Sequence, residues 1–272
     1  MLAVVREQTD DEPVITSRQH ALVARFREAA RGGAGVPMLL DGPHLVAEAI
    51  EAGLVVTDVA MAEGVASNPE MARLRRTLDV HLVASQVLDA MSPARTPSGV
   101  VALAMRPEWS ADAIVGGTSP LVVVAVDVQD PGNLGAIVRA VEAGGATGVF
   151  GTMGGADPFG WKALRGAMGS AFRIPIAREG TAAEALAIAR AHGLRVVAAV
   201  KAGGAPMDQA DLTGPLALVV GGEGAGLASE IVERADLNVI IPMAPRVESL
   251  NVAVAAALLV YEARRQRAAP AG

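Results

Sequence analysis

Hydrophobic and polar positions follow two different periods through the first hundred or so residues of the chain. Apolar runs of strand length fall at 36–42, 54–63, 80–85 and 100–105. Between them, apolar residues recur at helical spacing over 15–30, 43–53 and 68–78, with Thr16 or Ser17 as the predicted N-cap of the first helix. This alternation predicts a compact unit of mixed α/β structure.

A second α/β series follows the first. Its strand-length apolar runs occupy 121–128, 147–152, 172–177, 194–200, 216–222 and 237–243, and its helical patterns cover 133–145, 157–169, 181–193 and 249–267. Strands that alternate with helices form parallel sheets, whose ligand sites lie at the carboxyl ends of the strands. The predicted fold class is therefore α/β, with a parallel sheet in the second half.

The domain boundaries follow from where this periodicity stops. The stretch 107–120 mixes Pro, Gly and Ser with little periodicity, which is typical of a linker. The polar, acidic start and the Ala-Pro-Gly end read as tails. The predicted organisation is a tail at 1–13, a domain at 14–106, the linker, a domain at 121–267 and a tail at 268–272.

Composition narrows the class of protein. Hydrophobic residues make up 51% of the 272 residues and aromatics only 3%, which excludes global disorder and favours an aliphatic core. No apolar run reaches bilayer-spanning length, and the start lacks the pattern of a signal peptide, so we expect a cytoplasmic protein without a membrane partner. The lack of cysteine excludes disulfides, thiolate zinc sites and a cysteine nucleophile.

The charge balance bears on nucleic-acid binding. The formal net charge is −6, and the 23 basic residues comprise two lysines, Lys162 and Lys201, and 21 arginines. An acidic balance argues weakly against a nucleic-acid partner, whereas arginine suits bidentate contact with phosphate. Charge alone therefore does not exclude RNA.

The first informative loop follows the apolar run at 121–128. Asn133 is the predicted N-cap of the next helix, and Gly135 lets a ligand or another backbone segment approach the first helical turn. Arg139 lies six residues after Asn133 and projects from the same helix. The alternative interpretation is a capped helix with a solvated arginine.

The second loop is Gly221-Gly222-Glu223-Gly224, directly after an apolar strand. Glycines in this position allow backbone amides to face a ligand. The spacing differs from G-x-G-x-x-G, which rejects a dinucleotide fingerprint and with it a nucleotide-dependent dehydrogenase. The alternative is a plain strand-to-helix turn with Glu223 at the start of the helix.

The third loop leads into the last helix. Ser249 is the predicted N-cap of that helix, which is apolar on nearly every side and so must be buried within its domain or against a second subunit. Asn251 is polar in the first turn and needs hydrogen-bond partners. Those partners are either backbone groups or a ligand.

Together, and in this order, the three loops resemble the motifs of the SpoU/TrmH family of RNA ribose 2′-O-methyltransferases, in the knotted SPOUT class. The resemblance covers 121–267, while residues 14–105 are similar to the L30e-like substrate-binding domain that often precedes it. The matched positions are Asn133, Gly135 and Arg139 in the first motif, Gly221, Glu223 and Gly224 in the second, and Ile241–Met243 and Ser249–Val252 in the third.

Four positions depart from the family pattern. Pro245 stands where a glycine is usual after the third motif begins, and Gly222 stands where a polar residue is common. Ala253 replaces a common serine, and Ser98 in the first domain replaces a common glutamine. These departures bear on loop flexibility and RNA contacts more than on the proposed catalytic residues.

The resemblance implies methyl transfer from S-adenosylmethionine to a ribose 2′-hydroxyl of RNA, without a metal. Arg139 would hold phosphate and hydroxyl, Asn133 would orient that arginine, Glu223 would fix the cofactor loop, and Ser249 and Asn251 would contact arginine, RNA or cofactor. The implied cofactor-binding residues are Val200, Lys201, Gly221, Gly222, Ile241, Met243 and Leu250. His192 is interpreted as structural, because it lies at a helix end where the dipole favours it.

The resemblance indicates the type of reaction more closely than the RNA substrate. Ribosomal RNA is the favoured substrate and transfer RNA the nearest alternative, while a non-catalytic RNA-binding or assembly factor on the same fold is an alternative of a different class. The resemblance also implies a homodimer and a C-terminal trefoil knot. The apolar helix at 249–260 and the basic end Arg264, Arg265 and Arg267 are the sequence features that support the dimer.

Overall fold

The computed structural model describes residues 13–33, 35–222, 224 and 226–268, and these fall into two units. The first unit runs to Pro107 and includes Phe159–Arg165, and the second contains the remaining residues from Glu108 onwards. The predicted tails at 1–13 and 268–272 lie almost wholly outside the described residues.

The first unit is a four-stranded mixed sheet with helices. Its strands are β1 (Met38–Asp41), β2 (Val56–Ala62), β3 (Val80–Val83) and β4 (Val100–Ala104), and its helices are α1 (Ala21–Arg31), α2 (Pro43–Glu51), α3 (Pro69–Thr77) and α4 (Ser85–Met91). The strand order is β1-β4-β2-β3, in which only β2 and β3 are parallel. The four predicted strands are present, whereas α4 was not predicted.

The first helix begins later than its sequence suggests. The predicted caps Thr16 and Ser17 lie outside it, and the imidazole Nδ1 of His20 accepts from the Leu22 amide instead. The apolar positions Leu22, Val23 and Phe26 are buried, as their helical spacing predicts. The Arg25 guanidinium binds both carboxylate oxygens of Asp58 on β2 at 2.7 Å, which fixes the helix over the sheet.

The second unit contains a seven-stranded sheet whose strand pairs are all parallel. Its strands are β5 (Leu121–Val126), β6 (Gly148–Thr152), β7 (Ile176–Glu179), β8 (Arg195–Ala199), β9 (Ala205–Pro206), β10 (Leu216–Gly221) and β11 (Leu237–Ile240), in the order β7-β6-β5-β10-β8-β11-β9. The prediction of an α/β fold with a parallel sheet is confirmed. Strands β5 and β10 are buried along nearly their whole length because helices cover both faces.

The helices from residue 108 onwards are α5 (Ala111–Ile114), α6 (Pro131–Ala143), α7 (Trp161–Ala167), α8 (Ala182–Ala191), α9 (Ser229–Arg234) and α10 (Val252–Ala268). Residues 161–165 of α7 belong to the first unit. The run at 172–177, predicted as a strand, is displaced: Ser170–Phe172 form a 3₁₀ turn and β7 begins at Ile176. No helix within the described residues is both long and apolar enough to cross a membrane.

The stretch predicted as a linker, 107–120, contains part of the packed second unit. Helix α5 begins with Ser110 as its N-cap, and Ile114 at its end is fully buried in the core formed with β5, β6 and α8. The Pro, Gly and Ser residues around α5 predicted a loop instead of a helix. The helix is fixed in place by one buried apolar side chain, that of Ile114.

Candidate functional site

A pocket of about 300 Å³ opens at the carboxyl ends of β8, β10 and β11. This is the edge where a parallel sheet places its ligand sites, because the loops that leave neighbouring strands converge there. Its walls are formed by the residues after β8, the glycine turn after β10, and the segment from β11 into α10. The volume lies at the lower end of the range for small-molecule sites.

The seven residues expected to bind the cofactor all line this pocket. They are Val200, Lys201, Gly221, Gly222, Ile241, Met243 and Leu250, and Ser249 and Asn251 from the proposed catalytic set lie beside them. Val220, Val239 and Ala255 extend the apolar wall. Three segments that are far apart in sequence thus form one concave surface.

The glycines after β10 are required by close backbone packing. A Cβ atom on Gly221 would lie 2.5 Å from the Gly226 carbonyl carbon, and one on Gly222 would lie 2.3 Å from the Asp127 carbonyl oxygen. The Gly222 amide donates to the Val126 carbonyl at 2.8 Å, so it does not face a ligand as expected. The glycine at 222 therefore serves strand packing on β5.

Glu223, the proposed loop-fixing carboxylate, lies outside the described residues. Its neighbour Gly224 has φ +90°, a left-handed conformation that glycine adopts without strain. The Lys201 ammonium donates to the Gly224 carbonyl at 2.9 Å. This bond joins the end of β8 to the glycine turn across one side of the pocket.

The start of α6 differs from its prediction. Its N-cap is Asp130, whose carboxylate accepts from the Asn133 amide at 2.8 Å, so Asn133 lies inside the first turn rather than at the cap. Gly135 is buried, and its Cα atom lies 3.3 Å from the position that a Cβ on Gly166 would take. The missing side chain of Gly166 thus lets two backbone segments approach each other, and the use expected for Gly135 stays a prediction.

The start of α10 is likewise capped by a different residue. Asn251 Oδ1 accepts from the Ala253 amide at 2.9 Å, and the helix begins at Val252, so the cap is Asn251 and not Ser249. Asn251 Nδ2 donates to Asn133 Oδ1 at 2.9 Å. One amide side chain therefore caps α10 and binds the first turn of α6, which leaves the exposed Ser249 at the rim of the pocket.

Arg139 is not brought to this pair. It lies six positions after Asn133, which places it about 9 Å further along α6 and about 120° around the helix. Its side chain is exposed, is absent from the pocket lining, and makes no hydrogen bond or ion pair with any residue in the described part of the chain. Within one chain, the structure gathers Asn133 and Asn251 but not Arg139.

Asp127, at the end of β5, was missed by the sequence reasoning. It has φ +51°, a left-handed conformation that is uncommon outside glycine. The Thr152 hydroxyl accepts from the Asp127 amide at 2.8 Å and donates to its carboxylate at 2.7 Å. The signal in the sequence was an acidic residue directly after a strand that is otherwise wholly apolar.

His192 is structural, as interpreted. It follows α8, and its ring nitrogens lie 2.9 Å from the Ile188 carbonyl and 3.0 Å from the Asp112 carboxylate. The hydrogen bond to the Ile188 carbonyl, followed by the one to Asp112, raises the pKa of His192 above its ordinary value. Neither contact lies in the pocket.

The basic residues near the end of α10 bind their own protein. Arg264 donates to the Ala143 carbonyl at 2.8 Å, Arg265 forms a bidentate pair with Glu262, and Arg267 donates to the Ser119 carbonyl at 2.9 Å. Burial lowers the pKa of Arg267 from its ordinary value. The Arg264 and Arg267 contacts tie the last helix to the end of α6 and to the segment before β5, whereas the Arg265 pair lies within α10.

Comparison with proteins of known sequence identifies the family. Residues 120–261, just over half of the chain, match the model of the SpoU rRNA Methylase family. The chain is 34% identical over 226 residues to the 23S rRNA (guanosine(2553)-2′-O)-methyltransferase RlmP of Bacillus subtilis, an alignment that covers 83% of this chain and 88% of that protein.

Solved structures agree with this assignment. The crystal structure of an RNA 2′-O ribose methyltransferase superposes with a TM-score of 0.81 at 32% identity, covering 93% of this chain and 99% of the other. The SpoU methyltransferase AviRb from Streptomyces viridochromogenes, solved in complex with AdoMet, gives a TM-score of 0.81 at 28% identity over 91% and 98% of the two chains. This protein is therefore a member of the SpoU rRNA methylase family, as its three motifs predicted.

Proposed function

We propose that this member of the family transfers the methyl group of S-adenosylmethionine to a ribose 2′-hydroxyl in ribosomal RNA. One observation carries the proposal: residues of the second and third family motifs form one pocket at the carboxyl edge of the parallel sheet, and the Asn133–Asn251 hydrogen bond joins the first motif to it. The names of its relatives agree with it, since RlmP is a 23S rRNA 2′-O-methyltransferase and AviRb was solved with AdoMet.

The pocket suits a cofactor with an apolar ring and polar ends. Val220, Val239, Ile241 and Leu250 provide an aliphatic surface of the kind that binds adenine, and the strand ends provide main-chain groups for its edge. When bound, S-adenosylmethionine supplies an electrophilic methyl group on a sulfonium sulfur. The residues of this chain then have to bind the RNA and orient the hydroxyl.

In this proposal the ribose is oriented by the polar residues at the edge of the pocket, Asn133, Asn251 and Ser249. The Asn133–Asn251 hydrogen bond fixes two amides beside the pocket, and the exposed Ser249 hydroxyl lies next to them. Fixed groups lower the entropic barrier of an in-line displacement because the oxygen is held opposite the leaving sulfur. Glu223 is assigned to the adjoining cofactor loop by the second motif alone.

Arg139 is assigned to the RNA backbone. A guanidinium is a poor base because it keeps its proton, but it binds phosphate bidentately and stabilises a developing alkoxide. Its exposed position, without a partner among the described residues, leaves it free for an RNA phosphate. The hydroxyl proton then passes to phosphate or water.

The RNA target and cellular location follow from the family and from the first unit. We assign residues 14–106 to an L30e-like RNA-binding domain, on the family's usual organisation and the α/β architecture of that unit. Ribosomal RNA is favoured over transfer RNA by the name of RlmP. A protein that acts on ribosomal RNA would work in the cytoplasm.

A homodimer is part of the proposal. Val254, Leu258 and Tyr261 are 47%, 37% and 49% exposed and recur along one face of α10 at helical spacing. An apolar stripe of this kind on a helix is typical of an interface. A second copy of the chain would cover it.

Ribose-methylation mapping tests the proposed target. RNA from cells with and without the gene is compared, and we expect one ribose in large-subunit ribosomal RNA to lose its methyl group. Complementation with the Asn251→Ala variant is the matched control and should not restore the modification. A loss confined to transfer RNA would move the target to that class.

Calorimetry separates an enzyme from a non-catalytic RNA-binding factor. The purified protein is titrated with S-adenosylmethionine, with and without ribosomal RNA, and we expect saturable binding in the pocket. No binding under either condition, together with unchanged ribose methylation in cells, would overturn the proposed function in favour of the binding factor.

A further inference from the structure

Lys201 is the one charged side chain among the described residues that line the pocket. It follows β8 directly, and it is exposed. The remaining lining residues are aliphatic side chains, glycines, Met243, one serine and one asparagine. Any ligand group that carries a full negative charge therefore meets a single cation in this part of the site.

The Lys201 ammonium has unused hydrogen-bonding capacity. It carries three N–H donors, and one of them is used by the Gly224 carbonyl at 2.9 Å. Because no second partner occurs among the described residues, two donors remain for a ligand. A carboxylate has two acceptor oxygens and matches this geometry and charge.

The proposed methyl donor has one carboxylate, on its methionine moiety. A carboxylate that enters a largely apolar pocket without a cation or N–H donors loses hydration without compensation. We infer that the Lys201 ammonium binds this carboxylate while it holds the Gly224 carbonyl, so that one side chain joins the cofactor to the glycine turn. This inference rests on the proposed function and names the residue that selects the amino-acid end of the cofactor.

Calorimetry with two ligands tests this role without a turnover measurement. S-adenosylhomocysteine carries the carboxylate, whereas its decarboxylated analogue, S-adenosyl-3-thiopropylamine, keeps the amine and lacks only that group. We expect the wild-type protein to bind S-adenosylhomocysteine about tenfold more tightly, as a charge-assisted hydrogen bond at an exposed site would give. The Lys201→Met variant should lose this preference, and Lys201→Arg should keep most of it.

The other lysine of the chain provides a matched control. Lys162 is exposed and is not part of the pocket lining, so Lys162→Met should retain the full preference for S-adenosylhomocysteine. If Lys201→Met retained the preference too, or weakened both ligands by the same factor, the inference would be overturned. An equal loss would show that Lys201 acts only through the glycine turn.

A labelling experiment on the wild-type protein removes any dependence on a folded variant. Because the chain has only two lysines, mass spectrometry after mild acylation reports Lys201 against Lys162 as an internal reference. S-adenosylhomocysteine should slow acylation of Lys201 several-fold more than the decarboxylated analogue does. Equal protection by both ligands contradicts the inference, whereas wild-type protein that binds neither ligand contradicts the proposed function itself.

Discussion

Asp130, three residues before Asn133, caps α6, and the side-chain oxygen of Asn133 accepts a hydrogen bond from Asn251. Asn251 in turn uses its two amide atoms differently: the oxygen caps α10 and the nitrogen reaches α6. The first turns of two helices that are far apart in sequence are thereby held by one hydrogen bond. At the residue scale, the site depends on three polar side chains with different hydrogen bonds: Asp130 caps α6, Asn251 caps α10, and Asn133 binds Asn251.

A double-mutant cycle measures the strength of this bond. Asn133→Ala removes the bond between the helices, and Asn251→Ala removes the same bond together with the α10 cap, which is worth about 1 kcal/mol. We expect the free energy of unfolding in urea to show a coupling of about 1 kcal/mol between the two substitutions. Strictly additive losses would show that the bond does not form in solution.

Gly222 permits a second test at the residue scale. In Gly222→Ala the new methyl group would lie 2.3 Å from the Asp127 carbonyl oxygen, a backbone atom that cannot rotate away. We expect the variant to unfold at lower urea concentration, with a loss of about 1–3 kcal/mol, and to bind the cofactor more weakly because the pocket wall shifts. Gly151→Ala is the control, since a Cβ at that position of β6 has no atom within 4 Å and should leave stability nearly unchanged.

Helix ends decide the geometry of the site at the scale of elements. The pocket lies where β8, β10 and β11 end, and α6 and α10 begin beside it. Away from the site, α8 ends at His192, which reaches Asp112 in the short helix α5. A polar side chain at a helix end thus has two uses in this protein: Asn251 helps to form the pocket, and His192 links α8 to α5.

The hydrogen bonds of His192 at the end of α8 predict that the free energy of unfolding depends on pH. Both ring nitrogens of His192 contact acceptors, and both donate only in the imidazolium form, so the pKa in the folded protein is raised. Its contribution to stability is fully present below the ordinary histidine pKa of about 6.5 and is lost as the pH rises through the higher folded value. The effect is small because the group is exposed.

Urea unfolding between about pH 6 and about pH 8 checks this prediction, and His192→Gln should flatten the pH dependence of the midpoint over that interval. Asp112→Asn should weaken the dependence without abolishing it, since the Ile188 carbonyl still raises the pKa. An unchanged profile in His192→Gln would mean that other groups titrate in this range.

The whole molecule leaves an apolar stripe exposed on α10, whereas the opposite face of that helix packs in the second unit. Ala256, Leu259, Val260 and Ala263 are buried there. Helix α10 is apolar on nearly every side because one of its faces packs inside the second unit and the opposite face carries the exposed stripe. This accounts for the apolar character of a helix that the monomer covers only in part.

A charge placed in the stripe tests the homodimer. Leu258→Glu would bury a carboxylate in an apolar interface, and we expect light scattering after size-exclusion chromatography to show a monomer where the wild type is a dimer. Val55→Glu, at a 64% exposed apolar position in the first unit, should leave the dimer intact. A wild-type monomer at micromolar concentration would refute the dimer.

The sequence by itself determined the fold class, most of the strands, and the family. Those features depend on local periodicity and on short motifs that contain residues such as Gly221 and Asn133. Each of these signals spans only a few positions of the chain. The family resemblance also named nine of the residues that line the pocket, whereas Arg139 of the proposed catalytic set is not among the lining residues. Hydrophobic pattern and turn chemistry act locally, and so they can be read from one segment at a time.

Only the tertiary structure decided which residues cap the helices, which amide partners which, and where Arg139 lies. Asn133 and Ser249 were the predicted caps, and Asp130 and Asn251 cap the helices instead. The hydrogen bond between Asn133 and Asn251 spans 118 positions of sequence. The left-handed Asp127 and the buried Ile114 of α5 likewise depend on partners that no local window contains. Long-range packing selects one arrangement from several that local chemistry allows, because residues distant in sequence come into contact only in the folded chain.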